Sequence, residues 1–212
     1  NYHPAVRYNA ALMIGDLDKR SSSRIGANAT PPRPLSSAVP VLIGFLGDDK
    51  MIDAVKVASL IGLKRHAKYE LAQDQLEPVT EVLLSLLSQS KPPADRTPQG
   101  HAWLRRQAAD VLAEIGSVGS EKEVHDAFMA IVAEQGLPLW LRCSVAAALS
   151  QLTYDNNTPI ETEPLVLQLG GLALDVVNFE TSHAEKRLGE AEEWLQEQEQ
   201  GRRPGDSNDG IN

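Results

Sequence analysis

Apolar residues recur every three or four positions through most of the first 155 residues, a spacing that predicts amphipathic helices rather than strands. The pattern also repeats itself. Residues 103–115 align without a gap with residues 140–152 at an offset of 37, and residues 5–17 fit the same template. The matched columns are Val6/Leu104/Leu141, Arg7/Arg105/Arg142, Ala10/Ala108/Val145, Ala11/Ala109/Ala146, Ile14/Leu112/Leu149 and Leu17/Ile115/Leu152. At about 100° per residue, positions 104, 108, 111, 112 and 115 fall within one stripe, and its small residues admit a close neighbouring helix. Further amphipathic segments at roughly 35–47, 76–89 and 121–135 precede the later copies, and a less regular one at about 51–70 follows the first of these. Each unit is thus a first helix, a turn and a second helix. Neither helix has enough apolar surface alone, so adjacent hairpins are expected to share one continuous core.

Two segments interrupt this periodicity. Residues 18–34 are rich in Ser and Pro and predict a mobile loop; residues 90–100, with Pro92, Pro93 and Pro98, predict a second insertion. The first joins a second helix to the next hairpin and the second joins a first helix to its own partner, so they are expected at opposite edges. After Thr153 the repeat lapses. Residues 165–177 read as a helix in which Gly170 and Gly171 imply close helix packing. Residues 182–200 read as a polar helix with Leu188, Ala191, Trp194 and Leu195 on its apolar side. The resulting division is helical repeats over 1–155, capping helices over 156–200 and a disordered tail over 201–212.

From residue 3 to about 155, the pattern Val/Leu-Arg, then Ala-Ala, then Leu and Leu/Ile, resembles the HEAT-repeat family of α-solenoids in its bacterial form. The resemblance implies an all-α fold, an α-solenoid of stacked antiparallel helix pairs closed by a C-terminal capping helix. In that family the Arg often pairs with an Asp slightly upstream. Here Arg105 follows Gln99 and Gly100, and Arg142 follows Gly136 and Pro138, so no such ladder is implied. A fold of this kind says little about activity. The chain opens on a second helix with no first helix before it. The bare face is expected to be covered by chain continuing N-terminally or by another subunit, and self-association through this edge is a further expectation.

Composition narrows the functional classes. One cysteine, Cys143, is incompatible with an internal disulfide framework or a Cys-rich zinc site. No apolar run approaches the ~20 residues a membrane-spanning helix needs, and no signal-like segment marks a compartment. The net charge is −9, divided unevenly: residues 1–110 hold 14 basic and 11 acidic groups, residues 111–212 hold 6 and 18. Such a balance disfavours a generic nucleic-acid or anionic-membrane binder. The histidines at 3, 66, 101, 125 and 183 form no ligand pair, and no phosphate loop, nucleophile elbow or Cys-x-x-Cys is present. No catalytic residue, cofactor or metal is therefore expected.

What remains is a surface. Trp103 and Trp140 share one repeat column; the first lies on a helix flank with Gln107, Asp110 and Glu114, the second with Ser144, Ala147 and Gln151. Neighbouring helices would set the indoles about 10 Å apart. They either anchor a partner, as flat aromatics beside Arg often do, or plug the groove between repeats. Arg7, Arg105 and Arg142, with Arg106 alongside, form either a basic stripe for an acidic peptide or phosphate, or hydrogen bonds to carbonyls of the previous repeat. Lys64, Arg65, His66 and Lys68 form the densest basic cluster on a predicted helix. The expectation is a non-enzymatic scaffold that binds a protein or peptide partner along its second-helix surface through Trp103, Trp140, Arg105, Arg106, Arg142 and Asp110. Two alternatives stand beside it. HEAT-like DNA glycosylases use Trp and Asp in a basic groove, for which Trp103, Trp140 and Asp110 would serve; the other is a purely structural segment of a larger complex.

Overall fold

The computed structural model describes residues 2–23, 30–69, 71–155 and 159–201. Among them are eight α-helices: α1 (Pro4–Asp16), α2 (Val39–Gly47), α3 (Asp53–Tyr69), α4 (Gln73–Ser88), α5 (Pro98–Ile115), α6 (Glu123–Ala133), α7 (Leu139–Leu149) and α8 (Thr162–Gly201). The class is all-α. Two compact units divide the chain, residues 1–169 and residues 170–212.

In the first unit, α2 packs on α3, α4 on α5 and α6 on α7. The contacts also run along the chain in two ranks: α1 touches α3, α3 touches α5 and α5 touches α7, while α2 touches α4 and α4 touches α6. The stripe read from the sequence accounts for this. Leu104, Ala108, Val111 and Leu112 are buried on α5, as are Leu141, Val145 and Leu149 on α7. Small residues in the stripe let helices meet closely, most of all at Gly15 and Gly62, where a Cβ built on Gly15 would lie 2.7 Å from the Gly62 Cα.

The less regular segment proves to be a fourth copy of the second helix. Val55, Lys56, Ser59, Leu60, Leu63 and His66 on α3 fall in the six repeat columns at an offset of 49 from α1, and all six are buried. On α1 only part of these columns faces outward. Val6, Ala10 and Leu17 are exposed, as is Met13 beside them, whereas Ala11 is buried with Val55 and Ala58 of α3; Leu104 and Ala108 on α5 and Leu141 and Val145 on α7, whose helices pack against α4 and α6, are buried.

Local chemistry sets the helix ends and corrects both predicted loops. Pro98 starts α5 rather than breaking the chain: the Thr97 hydroxyl accepts from Gly100 N at 3.1 Å, and proline at the first helical position loses no useful donor. The insertion is therefore shorter than 90–100. Gly116, with φ +74°, closes α5 in the left-handed conformation, and its N–H donates to the Leu112 carbonyl at 3.0 Å. Residues 18–34 are paired at their base rather than loose. β1 (Asp18–Arg20) lies antiparallel to β2 (Arg33–Pro34), and Ser23 bridges Thr30. Residues 24–29 lie outside the described residues.

The expected helices over 165–177 and 182–200 are parts of one helix, since α8 runs unbroken through Gly170 and Gly171. A Cβ added at either glycine would meet nothing within 4 Å among the described residues of this chain. Leu188, Ala191, Trp194 and Leu195 are exposed. Of the predicted tail over 201–212, residue 201 is the last of α8 and residues 202–212 lie outside the described residues. No helix among the described residues is long and apolar enough to cross a membrane.

Candidate functional surface

The outer flank of α5 carries Trp103, Arg106, Gln107, Asp110 and Glu114, and that of α7 carries Trp140, Cys143, Ser144 and Ala147, with Gln151 in the turn after it, all exposed or half-buried. Trp103 is 37 % and Trp140 43 % exposed, so each indole rests partly on the helices and presents its remainder to solvent. Ile61, Lys64 and Lys68 continue the surface onto α3. Asp110 stands at its centre. Its carboxylate lies 3.9 Å from Lys64 Nζ on the neighbouring helix and 3.8 Å from Arg106 on its own. Held between two cations, Asp110 is suited to orient Arg106.

The in-register basic column lies beneath this surface. Arg105 is 3 % and Arg142 6 % exposed, which corrects the expectation that they line a partner-facing stripe. Arg105 Nε donates to the Leu87 carbonyl at 2.8 Å, and Arg142 Nε donates to the Val132 carbonyl at 2.9 Å. Both acceptors lie in the last turn of the first helix of the same hairpin, where carbonyls lack intrahelical donors. Each guanidinium thus satisfies a helix C-terminus and favours its negative dipole end. Arg105 is further drawn toward Glu134 Oε2, 3.9 Å away on the next hairpin. Lys56 takes the same buried column on α3. On α1, Arg7 Nη2 lies 3.1 Å from Met51 Sδ.

The predicted basic cluster on α3 is also dispersed. Lys64 faces Asp110, while Arg65 pairs with Asp18 and approaches Asp16 at 3.8 Å. His66 is fully buried, and neither ring nitrogen has a hydrogen-bond partner. A helix's 3.6-residue period explains this: Lys64 and Lys68 share one outward face, while Arg65 and His66 turn away from it.

Arg96 was not singled out by its sequence, yet it ties three segments together. Its Nε and Nη2 donate to the two Asp53 carboxylate oxygens at 2.9 and 2.6 Å. Its Nη1 lies 3.0 Å from His101 Nδ1, and His101 Nε2 lies 2.7 Å from the Gln89 carbonyl. An arginine only donates, so Nδ1 must accept and Nε2–H must donate, which leaves the ring neutral. A lone Arg in a proline-rich insertion gives no periodic signal by which to find it.

Three buried histidines make the fold acid-sensitive. Burial pushes His66 below its ordinary value, with the Arg65 charge adding to the effect against Asp18. Burial also lowers His101, opposed by its bond to Gln89 and assisted by Arg96 and Arg105, with Asp53 raising it. His125 is likewise lowered by burial, with Asp126 raising and Lys122 lowering it. A base with a depressed folded pKa takes up its proton first in the unfolded chain. Stability is therefore complete above the unfolded value of ~6.5 and declines as pH falls from there through the folded values. Urea midpoints should fall between pH 7 and pH 5, and His66→Leu should flatten the decline. A midpoint unchanged over this interval would refute the neutral-histidine assignment.

A cleft of about 630 Å³ lies between α4 and the α5–α6 turn, lined among others by Leu76, Thr80, Leu84, Ile115 and Glu123. Burial opposes ionisation of Glu123, but N–H groups of its own residue, Glu121 and Ser120 hold its pKa below the usual carboxylate range. Its oxygens accept from Ser120 N at 3.1 Å and Glu121 N at 2.8 Å, so the carboxylate is committed to this turn. Among the described residues, no three His, Cys, Asp or Glu side chains are grouped to hold a metal ion. Comparisons with family models, with curated proteins and with solved structures find no match for this chain.

Proposed function

We propose that the first unit is a HEAT-like α-solenoid acting as a non-enzymatic scaffold, and that a protein or peptide partner docks across the outer flanks of α5 and α7. The carrying observation is that two tryptophans in one repeat column, Trp103 and Trp140, are both substantially exposed on adjacent helices. Tryptophan is the residue type most often dominant in protein interfaces, and it favours sites rimmed by polar groups. Arg106, Gln107 and Asp110 supply such a rim on α5. The two-rank helix contacts and the repeated Arg-to-carbonyl bond support the solenoid reading. Arg105 and Arg142 act as positioning residues in this scheme. They fix where each second helix starts, and hence where the indole two residues earlier stands.

Replacing both Trp103 and Trp140 by alanine should weaken partner capture by roughly tenfold or more while leaving the helical content intact. Equal capture of a physiological partner by the folded double variant would remove this surface from consideration. Tight, salt-sensitive binding of duplex DNA by the parent chain would favour a nucleic-acid role instead.

A further inference from the structure

In the second unit, Leu174, Val177, Leu188, Trp194 and Leu195 of α8 are each more than half exposed. A long helix gains its stability chiefly from packing an apolar face. In α8 the spacing is regular. Leu174, Thr181, Leu188 and Leu195 recur every seven residues, and Gly170, Val177, Ala184 and Ala191 recur every seven between them. These are the a and d positions of a coiled coil sustained over nearly four heptads. The intrahelical contacts fall elsewhere. Lys186 meets Glu190 at 3.7 Å and Phe179 stacks on His183, both on the side away from the stripe.

We propose that α8 pairs antiparallel with α8 of a second copy of this chain, about a two-fold axis passing near residues 182 and 183. Side-chain sizes select this direction. In the antiparallel register Leu195 faces Gly170, Leu188 faces Val177, Leu174 faces Ala191 and Thr181 faces Ala184, so each large residue meets a smaller one. Trp194, at the edge of the stripe, then covers Ala173. Charge selects it as well. Glu180 and Arg187 occupy equivalent flanking positions and face each other twice across the axis. A parallel, in-register pair would oppose Glu180 to Glu185 of the partner helix and leave Gly170 facing Gly170. The helix carries a strong net negative charge from 162 to 201, and parallel pairing would stack its acidic ends. Antiparallel pairing sets them apart.

The test is the mass of the full chain in solution, by sedimentation or light scattering. The parent chain should be a dimer at about 0.1 mM, and Leu174→Glu with Leu188→Glu should be a monomer. Unaltered thermal unfolding of the first unit would exclude general misfolding of that variant. Glu180→Arg should weaken the dimer by roughly tenfold, since it sets Arg against Arg187 on both sides of the axis, and adding Arg187→Glu should restore it. A parent chain that stays monomeric, a variant pair that stays dimeric, or a Glu180→Arg chain that associates more tightly would each overturn the proposal. The last is what parallel helices would give.

Discussion

Replacing Arg105 by alanine is expected to lower the unfolding free energy by about 3 kcal/mol, with loss of a buried charge-assisted hydrogen bond as the main cause. The guanidinium is almost wholly enclosed, and its Nε–H is the donor that reaches the Leu87 carbonyl at 2.8 Å in the last turn of α4. Truncation leaves that carbonyl to be satisfied by water in a space opened beneath the hairpin. It also removes the aliphatic stem that fills the gap between α4 and α5. The ion contact with Glu134 is long at 3.9 Å and half open to solvent, so it adds little. Lysine is the natural comparison, because α3 carries Lys56 in the same buried column. Arg105→Lys should therefore retain more stability than Arg105→Ala, though it lacks the planar fork. Urea denaturation of the three chains checks the order, and a loss below about 1 kcal/mol for alanine would deny the bond its structural role.

Gly62→Ala is expected to cost about 2 kcal/mol even though alanine is the better helix former by roughly 1 kcal/mol. A Cβ there would lie 2.9 Å from the Gly15 Cα and 3.0 Å from Leu42 Cδ1. One neighbour is backbone and cannot rotate away, so α1 and α3 must separate along their shared length. Their packing includes the buried cluster of Ala11, Val55 and Ala58, with Tyr8, Leu12 and Phe45 around it. Gly44 supplies the contrast. It lies inside α2 with nothing within 4 Å of an added Cβ, so Gly44→Ala should raise stability by up to about 1 kcal/mol. If Gly62→Ala were neutral, the close α1–α3 approach would not exist in solution.

Periodicity made α1, α5 and α7 legible together with their mutual register, because their columns match in residue type as well as spacing. It failed for α3 on three substitutions that are physically equivalent but different in letter. Lysine stands for arginine at 56, Ser59 and Leu60 stand for a small pair, and His66 stands for the closing aliphatic. The unpartnered His66 is buried at the cost of staying neutral, which no residue pattern announces. Pro98 was misread because a proline marks a helix start as readily as a loop, and only the Thr97 bond to Gly100 decides between them. Of the proposed surface residues, Trp103, Trp140 and Asp110 could be set on a flank off the apolar stripe from helical geometry alone. For Arg105 and Arg142 the sequence left a partner-facing stripe and bonds to carbonyls side by side; the bonds are made, but to the first helix of the same hairpin rather than to the previous repeat. The α8 heptad was passed over because its glycines, alanines and threonine read as weak helix rather than as the small half of a complementary seam.

Whether second helices of like sequence lie side by side is tested most directly by cysteine cross-linking across one outward column: Ile61 on α3, Asp110 on α5 and Ala147 on α7. With Cys143 replaced by serine, cysteines introduced in pairs should report the order of the helices. Neighbours in a rank stand about 10 Å apart and next-nearest ones about 20 Å. A short bifunctional reagent should therefore join 61 to 110 and 110 to 147, and leave 61 and 147 unlinked. Linking of 61 to 147 as readily as the adjacent pairs would mean a closed bundle, and neither the shared groove wall nor the paired indoles would survive it.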